Sequence, residues 1–84
     1  MNLPKTIRIT ERKLGKERAM GQVTHGAVPH IEIDPRQKAA DRLDTTVHEL
    51  IHIVWPELSE DDVVKAANRI SSVLWADNWR RIME

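Results

Sequence analysis

Two histidines four residues apart, His48 and His52, with Glu49 directly after the first, are the residues of this chain best suited to do chemistry. They lie in Val47-His48-Glu49-Leu50-Ile51-His52, within a stretch free of Gly and Pro over residues 36–55. On a helix, residues four apart stand one above the other on the same face. Each imidazole can then offer one ring nitrogen to a single metal ion. Glu49 lies beside the pair and can take a proton from a water activated by that ion. The chemistry this spacing suggests is metal-assisted hydrolysis. The plain alternative is a helix whose two imidazoles merely hydrogen-bond or face solvent.

A zinc site with two His needs a third protein ligand, and a water completes it. The chain has no Cys, so the choices are His25, His30 or a carboxylate downstream. Glu57, Glu60, Asp61 and Asp62 cluster where a second helix should begin, the end nearest His48 and His52. Glu60 falls three residues before Val63, seven before Ala67 and ten before Ile70, and so continues that helix's apolar stripe. Glu60 is the expected ligand, with Asp61 as the alternative one step round. These acids have a simpler use as well, since the first turn of a helix favours negative charge. His25 and His30 sit in or beside strands. Either is exposed, or one of them flanks the cleft to stabilise an oxyanion or hold substrate.

The elements that must position these groups are legible in outline. Thr6-Ile7-Arg8-Ile9-Thr10, Gly21-Gln22-Val23-Thr24-His25 and His30-Ile31-Glu32-Ile33-Asp34 read as three short strands. Tight connections between them predict a small antiparallel sheet, with Ile7, Ile9, Ile31 and Ile33 facing the core. Residues 11–20 read as strand end and exposed loop, with a turn at Gly15. Asp34-Pro35 predicts a helix start, Asp as N-cap and Pro first in the helix. That helix should run to about Val54, with Ala39/Ala40, Leu43, Val47, Leu50, Ile51 and Val54 as its apolar stripe. His48, Glu49 and His52 fall away from the stripe's centre, on a face left for polar chemistry. Pro56 ends the helix. Ser59 opens a second one, with Val63, Ala66/Ala67, Ile70 and Val73/Leu74 turned inward and Asp77-Asn78 near its end. The expected fold class is α+β: one domain over residues 1–84, a three-stranded sheet on the motif helix, then a second long helix.

Length limits the options. A chain of 84 residues buries a marginal core and often needs a staple. Without Cys that staple is a metal or a homodimer contact. The absence of Cys, of a secretory leader and of a long apolar run points to a cytoplasmic protein that does not enter the membrane. Net charge is zero, which argues against nucleic acid as a partner. The basic residues Lys5, Arg8, Arg12, Lys13, Lys16 and Arg18 read as a solvated surface.

The order of strands, then Leu43-Asp44-Thr45-Thr46-Val47-His48-Glu49-Leu50-Ile51-His52, then a helix opening Leu58-Ser59-Glu60-Asp61-Asp62-Val63, resembles the minimal gluzincin-like metallopeptidases. Phages and prophages often carry these enzymes, which are distant relatives of the ImmA/IrrE and SprT-type peptidases. The resemblance spans roughly residues 7–78. It implies zinc held by His48, His52 and a Glu of the second helix, matched best by Glu60, with Glu49 as catalytic acid/base. It also implies a protein or peptide substrate and, for a phage protein, the host cytoplasm. Two other functions fit the same residues. One is a zinc-stabilised structural or regulatory domain without turnover. The other is an interaction module using the basic segment, whose binding would fall steeply with salt.

Overall fold

The computed structural model describes residues 3–15 and 20–80. Its elements are β1 (Arg8–Glu11), β2 (Gly21–Thr24), β3 (His30–Ile33), α1 (Ala39–Val54) and α2 (Glu60–Ala76). The basic residues Lys16 and Arg18 and the tail at 81–84 lie outside the described residues.

The sheet is mixed, not antiparallel, with β3 in the middle of the order β1-β3-β2. β2 and β3 form the antiparallel pair, with Val23 opposite Ile31. β1 lies parallel to β3, with Ile9 opposite Ile31. The expectation of tight connections placed β1 next to β2. Instead β2 lies on the far side of β3 from β1, so the crossover between the parallel strands contains β2. Asp34 fixes this path. Its buried carboxylate accepts from Leu14 N at 3.0 Å, from Arg36 N at 3.0 Å and from the Arg36 guanidinium at 2.6 and 2.9 Å. Gly15, with φ of 69°, turns the chain just after Leu14.

That use of Asp34 moves the helix start. Its oxygens are committed to Leu14 and Arg36, so residues 35–37 make a turn and α1 begins at Ala39 behind Lys38. Gln37 bridges the turn to the helix: it donates to Asp34 O at 3.0 Å and accepts from Thr45 Oγ1 at 2.7 Å. At the other end α1 stops at Val54, ahead of Pro56. In α2, Ser59 caps the first turn by accepting from Asp62 N. Asn78, with φ of 64°, marks the exit from α2.

α1 lies between the other two layers. It meets β2 and β3 on one side and α2 on the other, while α2 contacts no strand among the described residues. Two small cores follow. Val47 and Ile51 pack on Val63 and Ala67 of α2, joined by Leu43, Leu58, Ala66 and Leu74. Ile53 packs on Ile31 and Ile33, joined by Ile7, Val23 and Leu50. A single apolar stripe therefore understates α1, which needs two contact faces and uses Ile53 for the second. Ala39 and Ala40 are exposed because α1 has only begun there. Ile9 is also exposed: β1 extends beyond the strands that α1 covers. On α2 the inward row is Val63, Ala67, Ser71 and Leu74, which leaves Ile70 and Val73 outside. Ser71 takes the inner place by donating to Asp44 of α1 at 2.9 Å.

Candidate metal centre

α1 and α2 pack as a hairpin in which Val47 and Ile51 meet Val63 and Ala67. This pairing brings the first residue of α2 back over the last turns of α1. Glu60 there reaches both imidazoles: Oε1 lies 2.8 Å from His48 Nε2 and Oε2 lies 3.0 Å from His52 Nε2. The two Nε2 atoms are 3.2 Å apart. Among the described residues, His48, His52 and Glu60 form the only group of three or more His, Cys, Asp or Glu with ligand atoms converged for an ion.

The donor set suits zinc: two imidazoles, one carboxylate and no thiolate. Donors at about 2.0–2.1 Å in a tetrahedral shell stand about 3.3–3.4 Å from one another. The observed separations of 2.8, 3.0 and 3.2 Å fall slightly short of that. An ion needs these donors to open by a few tenths of an ångström, within the freedom of the exposed Glu60 side chain. Each Nε2 lies within hydrogen-bonding distance of one carboxylate oxygen. An ion would need the lone pair of both Nε2 atoms, with each ring proton carried on Nδ1.

Glu49 occupies a different setting from the one expected of a polar outer face. It is buried, 8% exposed, where α1 meets β2. A Cβ on Gly21 would stand 3.1 Å from Glu49 Cγ, which measures how closely the strand approaches. Burial pushes the Glu49 carboxyl above its ordinary value, His48 and His52 pull it down, Glu60 raises it and His25 lowers it. A buried carboxyl group beside two imidazole nitrogens that could hold an ion is an arrangement that general base chemistry can use.

The other expected residues separate clearly. Asp61, the alternative ligand, is exposed and outside the converged group, as is Glu57. Asp62 serves the helix cap through its backbone N–H. His30 projects from the outer face of the sheet, where its Nε2 lies 2.7 Å from Thr10 Oγ1. His25, just after β2, is within electrostatic reach of Glu49. Neither strand histidine lines the cleft, and His25 is exposed.

The cleft contains residues that sequence reasoning did not single out. Met20, Gly21, Asp44 and Thr45 line a cavity with His48 and Glu49. A signal existed for Asp44 and Thr45, which precede His48 and Glu49 by one helical turn and so share their face. Nothing local marked Gly21, whose role depends on β2 lying against α1. No helix among the described residues is long and apolar enough to cross a membrane. Comparison of the chain with protein-family models, curated proteins and solved structures found no match.

Proposed function

We propose that this chain is a zinc-dependent peptidase of the minimal gluzincin-like kind, with His48, His52 and Glu60 as ligands and Glu49 as general base. The observation that carries the proposal is the reach of Glu60 from α2 to both imidazoles of α1, at 2.8 and 3.0 Å, beside a buried carboxylate. Zinc bound there supplies a Lewis acid that lowers the pKa of water towards about 7 and polarises a carbonyl. Glu49 accepts the proton of the attacking water and delivers it to the leaving amine. β2 is an edge strand of the sheet and borders the same cleft, so an extended peptide has backbone groups to pair with beside Glu49.

The test is Glu49→Gln. The variant should bind zinc like the parent protein and cut no peptide; retained cleavage would reject the role given to Glu49. A structural zinc domain is the second reading, favoured by one specific observation: the three donors come from two helices, so an ion would cross-link α1 to α2. In that case zinc would raise the melting temperature and no protein would be cleaved.

A further inference from the structure

We propose that Asp44 is a specificity-determining residue, and that the cavity beside His48 takes a basic side chain, Lys or Arg, of a peptide next to its scissile bond. This rests on the peptidase proposal above.

The cavity is lined by Met20, Gly21, Asp44, Thr45, His48 and Glu49. Asp44 and Glu49 are the acidic residues of its lining, and no Lys or Arg lines it. Glu49, though nine-tenths buried, has no hydrogen bond or ion pair to any described residue. The space exists because position 21 has no side chain: a Cβ would come within 2.6 Å of Thr45 Cγ2. The Thr45 hydroxyl donates to Gln37 Oε1 at 2.7 Å, which turns it from the role of a donor to ligand.

Asp44 is held in place by donors from α2. Ser71 Oγ donates to its Oδ1 at 2.9 Å. Asn68, with its amide nitrogen turned to the carboxylate, lies 2.7 Å from Oδ1 and 3.2 Å from Oδ2. These donors are neutral, so they fix the side chain without setting an opposite charge beside it. Oδ2 keeps only the one longer contact. Asp44 stands one turn before His48, about 6 Å along the helix axis, within reach of a Lys or Arg side chain whose backbone lies at the metal centre. An acidic side chain in the same place would meet two carboxylates and lose its hydration with nothing in return.

The experiment uses the zinc-loaded full chain and one peptide sequence varied at the residue on each side of the scissile bond. Arg is compared with citrulline, Lys with norleucine, and both with Glu, so that charge changes at nearly constant shape. At one of the two positions, kcat/KM should favour Arg over citrulline by about tenfold or more, with Glu poorest. Added salt should narrow the ratio, and Asp44→Asn should bring it toward one. Zinc-loaded Glu49→Gln should bind the same peptides in the same order without cutting them. Equal cleavage and binding of the Arg and citrulline peptides would overturn the assignment of Asp44 while leaving the peptidase proposal intact. An Arg preference in binding without cleavage by the parent protein would support the cavity and overturn the peptidase. No binding and no cleavage would overturn both. The Arg and citrulline comparison on the parent protein decides the matter even if Asp44→Asn fails to fold.

Discussion

Gly21→Ala tests how tightly β2 presses on the motif helix. The added methyl would stand 2.6 Å from Thr45 Cγ2, 3.1 Å from Glu49 Cγ and 3.4 Å from Ile33 Cδ1. Carbon atoms in ordinary contact stay about 3.5–4.0 Å apart. The worst overlap is therefore about 1 Å, and neither Thr45 nor the strand backbone can withdraw freely. Thr45 is held by Gln37, and β2 is paired to the central strand β3. Overpacking of this kind costs about 1–3 kcal/mol. The loss of glycine's unfolded-state freedom offsets about 0.4–1 kcal/mol of that. The net destabilisation is about 1–2 kcal/mol, or a melting temperature lower by about 5–15 °C for a domain of this size. The measurement is thermal unfolding by circular dichroism in the presence of a chelator, so that metal linkage does not enter. Gly26→Ala is the control: nothing lies within 4 Å of the added methyl, and the change should be neutral or slightly stabilising. Gly21→Ala melting at or above the parent temperature would refute the close packing of β2 on α1.

Two further outcomes follow from the same contacts. The Arg36 guanidinium, with the backbone N–H groups of Arg36 and Leu14, holds the Asp34 carboxyl well below its ordinary value of 3.8. A depressed folded value means that the stabilisation is fully present above pH 3.8 and is lost as pH falls toward the folded value. Glu32, lowered from 4.5 to about 2 chiefly by Arg12, adds a loss with the same sign across that window. Melting temperature should therefore fall as pH drops below about 4; Asp34→Asn should be less stable at neutral pH and show a shallower acid slope in the same melts. Ser59→Ala removes the cap that accepts from Asp62 N. It should destabilise the protein by about 1 kcal/mol in urea titrations and also weaken zinc binding in competition with a chromophoric chelator, because Glu60 is the first residue of α2.

The helices were more legible than the sheet because their signals are local. Pro56 and Ser59 mark a helix end and a helix start through backbone chemistry that acts within a few residues, and both hold. Spacing aligned Glu60 with Val63 and Ala67, which do face α1, and with Ile70, which does not. The start of α1 failed for a non-local reason: the cap residue Asp34 is claimed by Leu14, twenty positions earlier. Strand direction failed likewise, since alternation identifies a strand and says nothing about its neighbour. The polar pair Asp44 and Ser71 displaced Ile70 and Val73 from the interior, a choice visible only when the two helices meet. The cleft itself depends on a missing side chain at Gly21 in one element and a carboxylate in another.

Anomalous diffraction at the zinc edge, from crystals grown with one equivalent of zinc, asks most directly whether the two imidazoles and the acid of the next helix hold one ion. A single strong peak should appear about 2.0–2.1 Å from the Nε2 atoms of His48 and His52 and about 2.0–2.2 Å from a carboxylate oxygen of Glu60. A peak elsewhere on the chain, or none with His48, His52 and Glu60 still in mutual contact, would contradict the assignment.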